Sequence, residues 1–197
     1  MSYAAPIELV QAALARVGGQ LITSLEDNSM PAVVAKANYE IMARKRLSMH
    51  TWSFASYPVL LVYQGEQAVG QLRHAYRKPP EALRIHWVGV GEQRLDNWKL
   101  TQGKIVARMP GDYEALISHR APEGDWADDF TEAFVTELEA LFIQSLQRNI
   151  QEARVRFRDA DALFARALAS DKRQSPGPQV IRTGALASAW LGERGRA

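Results

Sequence analysis

MARKRLSMHTWSFAS, residues 42–56, is where the chain changes character. Before it, apolar residues recur every three or four positions; after it, they alternate or run together. The stretch closes a helical pattern on three successive cations, Arg44, Lys45 and Arg46, then passes through an aromatic pair, Trp52 and Phe54. Cations suit the negative end of a helix dipole, and large aromatics suit a buried junction. The stretch therefore reads as a helix end turning into a sheet. The same three cations are also candidate contacts for a DNA channel or a neighbouring subunit.

Working back from this point, a helix is expected from Asn28 or Ser29 as cap and Pro31 in the first turn, with Met30, Val34, Ala37 and Ile41 as its apolar stripe. A shorter helix precedes it, Pro6 to Val17, with Ile7, Val10, Leu14 and Val17 on one face and Gly18-Gly19 as its stop. Working forward, residues of about 53–120 read as a small antiparallel β insertion. Tyr57 to Tyr63 is one β-rich run, Gln64-Gly65-Glu66 a turn, and Leu83, Ile85 and Trp87 one face of an alternating strand. Lys99-Leu100, Lys104 to Ala107 and Glu114 to Ile117 read as further strands, the last two separated by the turn residues Met109 to Asp112.

From Asp125 the helical period returns. Phe130, Phe134, Leu138 and Leu141 follow one face, and Ala153, Phe157, Ala160, Phe164 and Ala167 another. The two stripes are out of phase, which predicts a break near Arg148-Asn149 and two helices in a hairpin. The expected fold class is α+β, mainly α: a helical bundle with a small antiparallel β insertion over residues 1–173, and an extended C-terminal tail over 174–197. That tail carries spaced apolar pairs, and Val180, Ile181, Arg182, Leu186, Trp190 and Leu191 are its candidate docking residues.

With 197 residues, 47% apolar and 23% charged, the chain is long enough for one domain with a full core. No apolar run is long enough to cross a bilayer, and the N-terminal residues lack the basic and apolar regions of a secretion signal, so no membrane partner is expected. Cysteine is absent, which excludes disulfides and thiolate chemistry and fits folding in a reducing cytoplasm. No Walker A, GxSxG or HExxH motif occurs, and the histidines His50, His74, His86 and His119 have no ligand spacing, so neither a metal nor a cofactor is expected. Asp125, Asp128 and Asp129, with Glu123 and Glu132, are the nearest approach to a catalytic carboxylate group, but acids at a helix start also answer the dipole. No catalytic residue is assigned.

The net charge is only +2 although the isoelectric point is about 9.0, so any DNA contact is expected to be local. Seven acids lie between residues 121 and 150 (Glu123, Asp125, Asp128, Asp129, Glu132, Glu137 and Glu139), and six cations, among them Arg154, Arg156 and Arg158, lie between 151 and 173. An acidic face and a basic one suit contacts between copies in a ring, or a basic face turned to DNA. Arg154, Arg156 and Arg158 join Arg44, Lys45 and Arg46 as candidate channel or subunit contacts.

Several segments in order resemble one family. ALARVGGQLITSLEDNS (13–29), RKRLSMHTWSFA (44–55), YRKPPEALRIHWVGVG (76–91) and the spacing of Trp126, Phe130 and Ala133 before the long helices are similar to the head–tail adaptors of tailed phages, the tail tubular protein A type. Glu81 stands where that family commonly has aspartate, and nothing beyond Gln179 matches its pattern. The resemblance implies a non-enzymatic ring, typically of twelve copies, at the head–tail junction of a phage or gene transfer agent. It would bind the portal protein on one side and a tail-side connector or nozzle protein on the other, with weak non-specific contact to packaged double-stranded DNA. The particle would assemble in the bacterial cytoplasm. The competing expectation is a free, non-specific nucleic-acid-binding protein.

Overall fold

A computed structural model describes residues 5–69, 71–91 and 93–174. Helix α1, Pro6–Arg16, carries its proline in the first turn and buries Leu9, Val10, Ala13 and Leu14. It ends where Gly18 takes a left-handed φ of 65° and the Gly19 N–H donates to the Leu14 carbonyl at 2.8 Å. Helix α2, Met30–Met49, starts at Ser29 with Pro31 in its first turn. Its buried positions include Ala32, Ala35, Tyr39, Ala43 and Leu47, spaced by three and four.

The β part is larger than the small insertion expected from the sequence. Eight strands form two four-stranded antiparallel sheets, with orders β1-β8-β4-β5 and β2-β3-β7-β6. The strands are β1 Ser56–Leu60, β2 Tyr63–Val69, β3 Leu72–Arg77, β4 Arg84–Val90, β5 Gln93–Arg94, β6 Trp98–Thr101, β7 Lys104–Ala107 and β8 Glu114–Ser118. Ile85, Val88, Ala115 and Ile117 from the first sheet share one apolar core with Tyr76, Ile105 and Ala107 from the second. The two sheets are thus packed on each other and carry a core of their own. This corrects the expected fold class: the fold is mixed, with four α-helices and two full sheets among the described residues, and is not a mainly helical bundle with a small β appendage.

Local departures from regular strand geometry explain why the sequence pattern understates the sheets. The apolar run Tyr57 to Tyr63 is split, because the chain leaves the first sheet at Leu60 and enters the second at Tyr63, with the Leu61 N–H donating to the Tyr113 carbonyl at 2.7 Å. Gly65, with φ 99°, lies inside β2 where the register against β3 shifts twice, so residues that read as a turn are a bulged strand. In β4 the register shifts between Ile85 and Trp87, and Val88 rather than Trp87 follows Ile85 into the core.

Helix α3, Asp128–Phe142, runs through the middle of the helical part, buried on nearly all sides. A π-turn, Ile143–Gln147, prolongs it, and Arg148 then reverses the chain in the left-handed region with φ 56°. Asn149 opens α4, Ile150–Gln174: its side chain accepts from the Glu152 N–H at 3.2 Å and donates back to the Glu152 carboxylate at 2.8 Å. Trp52 is fully buried where α2 gives way to β1, with its ring 4.9 Å from Phe130 of α3 and 5.9 Å from Phe54. Among the described residues no helix is long and apolar enough to cross a membrane.

Candidate functional surfaces

Successive helical residues point about 100° apart, and this separates the three cations of α2. Arg44 and Lys45 are exposed, and Arg44 lies 3.7 Å from Glu40 one turn earlier. Arg46 turns inward. Its Nε and Nη2 donate to the two carboxylate oxygens of Glu137 on α3 at 2.8 and 2.7 Å, and Nη2 also donates to Asp161 on α4 at 2.7 Å. The guanidinium lies 4.3 Å from the Phe164 ring centre. Burial alone would lower the Arg46 pKa, but the bonds to Glu137 and Asp161 outweigh it and hold the guanidinium protonated. Arg46 therefore clamps three helices and is not on the surface as a DNA or subunit contact.

Two further arginines do similar work. Arg16 on α1 forks onto Glu132, with both bonds at 2.7 Å, and reaches Glu139 at 2.9 Å. The paired guanidinium pulls the Glu132 carboxyl below its usual range. Arg120 joins Glu40 at 3.0 Å and Glu123, whose carboxylate also accepts from the Tyr39 hydroxyl at 3.0 Å. Glu123, Glu137 and Glu139 are thus paired in buried positions and Glu132 is paired at the surface, while Asp125, Asp128 and Asp129 stay exposed. The acidic run inferred for residues 121–150 is therefore divided: four of its seven acids meet arginines and three remain outside.

The cations of α4 remain outside. Arg154, Arg158, Arg166, Lys172 and Arg173 are exposed, and none has an ion pair among the described residues. At about 100° per residue they fall within an arc of about 120°. The other residues of that arc are Gln151, Val155, Ala162, Ala165 and Ala169, so it holds no acid. Glu152 and Asp159 lie on one flank, and Asp161 lies on the other, tied to Arg46. Arg156 sits off the stripe, 3.8 Å from Asp159. The expected trio Arg154, Arg156 and Arg158 is thereby divided, and Arg166, Lys172 and Arg173 enter in place of Arg156.

Of the apolar stripe predicted on α2, Met30 and Ile41 are 66% and 68% exposed and Ala37 is exposed beside them, whereas Val34 is half-buried against the helical core. Val33, outside the predicted stripe, joins the exposed residues at 52%. The helix has two apolar stripes, and the one that packs inward is Ala32, Ala35, Tyr39, Ala43 and Leu47.

Asp125, Asp128 and Asp129 are exposed and border a cavity of about 500 Å³ floored by Trp52, Phe54 and Phe130. Asp171 also borders it, accepting from the Ser53 N–H at 3.1 Å and from the Ser53 hydroxyl. Among the described residues the lining has no histidine or lysine to share a proton with these carboxylates. Elsewhere His86 Nε2 contacts the Ser118 hydroxyl, a pairing with the look of base and nucleophile. Ser118 has no exposed surface, and its hydroxyl also contacts Ser56 at 3.4 Å and the His50 carbonyl at 3.3 Å, so the group ties β1, β4 and β8 to the end of α2. Burial, then nearby cations including Arg84, pushes the His50 and His86 pKa values down. No group of three or more metal-ligating side chains occurs among the described residues.

The docking candidates Val180, Ile181, Arg182, Leu186, Trp190 and Leu191 lie outside the described residues. No known family model matches the chain, and no curated protein matches it in sequence.

Proposed function

We propose that the chain is a structural, non-enzymatic adaptor that joins copies of itself in a ring beneath the portal of a phage or phage-like particle. The ring bridges portal to tail and helps to hold packaged DNA at the head–tail junction. Twelve is the copy number implied by the resemblance, and portal and tail-side connector proteins are the partners it implies. The ordered segments from residue 13 to the long helices support the setting. The outer face of α2 is the observation that carries assembly. Helix α2 already buries Ala32, Ala35, Tyr39, Ala43 and Leu47 against the core, yet it holds a second apolar group, Met30, Val33 and Ile41, in solvent, where these side chains contribute nothing to a monomer. Such a stripe fits a face covered by a second copy.

Native mass spectrometry of the full chain mixed with the portal protein encoded nearest to it tests the reading. A fixed number of copies on each portal ring is the expected result. A competent portal ring that takes up no copies refutes it. The second reading, a free nucleic-acid-binding protein, is favoured by the α4 cations; it requires steeply salt-dependent duplex binding by a chain that ignores the portal.

A further inference from the structure

We propose that the exposed face of α4 is a sequence-independent contact surface for the phosphate backbone of double-stranded DNA, carried by Arg154, Arg158, Arg166, Lys172 and Arg173. The inference takes its setting, a ring around a DNA channel, from the adaptor reading, but the surface stands on its own geometry. Helix α4 has 25 residues, so at 1.5 Å per residue it is about 37 Å long, a little more than one turn of duplex. All five cations share one arc with no acid in it, and four of them are arginines, whose planar fork matches phosphate oxygens. Arg154 and Arg158 stand one turn apart as like charges, an arrangement that disfavours an isolated helix and is relieved by a polyanion.

The residues between the cations decide the class of partner. Ala162, Ala165 and Ala169 let a rigid rod approach closely. A protein partner would be expected to find an aromatic or branched anchor at the centre of the stripe, and only Val155, near one end, comes close. Gln151 is the single amide in the arc, so a set of side chains for reading adenine is lacking. The face is also held rigidly: Asn149 caps the helix start, Arg46 binds Asp161 in its middle, and Ser53 binds Asp171 near its end. A rigid, small-residue stripe whose charged groups are all cations is suited to phosphates, which fits DNA that must slide.

The test is fluorescence anisotropy of a labelled duplex of about three helical turns, titrated with the full chain between about 50 and 200 mM salt. Five phosphate contacts give a slope of about −4.5 in log K against log salt, hence a loss of about 500-fold over that range. Arg158→Gln with Arg166→Gln should flatten the slope by about 1.8, whereas Arg44→Gln with Lys45→Gln should leave it unchanged. Circular dichroism melts of both variants check that the fold is kept. Absence of binding at the lowest salt, or a slope that ignores the α4 variant, overturns the inference. So does displacement of the chain by polyglutamate as readily as by duplex at equal charge, which assigns the face to an acidic protein segment. The portal experiment on the same Arg158→Gln, Arg166→Gln protein keeps the two ideas apart. Unchanged portal stoichiometry with a flattened DNA slope supports both, and a wild-type chain that ignores the portal but shows the steep slope sinks only the adaptor.

Discussion

Arg46→Met is the sharpest probe of how the helical part is held together. The substitution keeps the unbranched apolar stem of the side chain and removes the guanidinium with its charge and donors. Two carboxylates lose their partner, and they are not equivalent: the Glu137 side chain is 6% exposed, the Asp161 side chain 65%. Asp161 returns to water at little cost. Glu137 is left as a buried, uncompensated charge between α2 and α3, and loss of one partner of a buried pair costs about 3–5 kcal/mol. For a domain of this size that lowers the melting temperature by about 6–20 °C, at about 2–4 °C per kcal/mol. The paired variant Arg46→Met, Glu137→Met removes both charges and should recover most of the loss, because apolar replacement of a buried ion pair is often neutral or better. Thermal melts followed by circular dichroism on the three proteins decide the matter. A single variant within about 1 kcal/mol of the wild type, or a double variant no more stable than the single, would refute the clamp.

Particular contacts set three other outcomes. Gly89→Ala would set a Cβ 2.1 Å from the Gln93 carbonyl oxygen, so the β4–β5 hairpin must open; the expected cost is about 1–3 kcal/mol, read in a denaturant titration. Ile41→Glu, on the exposed stripe of α2, should change the stability of the monomer by no more than about 0.5 kcal/mol yet abolish self-association in analytical ultracentrifugation. The pH profile of stability should show two windows. The folded His50 and His86 pKa values lie below the unfolded 6.5, so the unfolded chain binds more protons and stability falls as pH drops below 6.5. Glu132 is depressed from 4.5, so its contribution is complete above 4.5 and lost only at lower pH, as its folded pKa is passed. Arg16→Met should erase the lower window and leave the upper one in place.

What can be read from the sequence is what local spacing determines. The stop of α1 at Gly18 and the reversal at Arg148 and Asn149 rest on residues within a few positions of one another, and the burial of Trp52 follows from its place at a helix end next to Phe54. The reversal is even more legible than the phase shift alone suggests, because Asn149 and Glu152 have the spacing of a reciprocal helix cap. The buried face of α2 is not legible. Two apolar stripes run along it, and the one that packs inward mixes alanines with Tyr39 and Leu47, so neither size nor hydropathy tells it from the outer one. Nor can the strands be phased, because single-residue bulges at Gly65 and His86 break the alternation on which strand phasing depends. The partners of the acids are hidden for a third reason. Arg46 lies 91 residues from Glu137 and Arg16 lies 116 from Glu132, distances at which sequence spacing carries no information.

That last reason bears on function as well as on fold. A net charge of +2 suggests at most a glancing contact with a polyanion. Net charge, however, sums over groups that the fold has already joined. Glu123, Glu132, Glu137 and Glu139 are already paired with arginines, and the cations of α4 are left in one array that the total conceals. If phosphate binding follows the array and not the sum, then moving charge without changing its total must weaken it. Replacing Arg158 and Arg166 by glutamine while replacing the exposed Gln71 and Gln93 by arginine keeps the net charge at +2. By the array argument this protein loses about 1.8 from its salt slope, the same as the variant without the added arginines. By the net-charge argument it binds duplex as the wild type does. Equal slopes for wild type and rearranged protein would mean that the α4 stripe is only a solvated helix face.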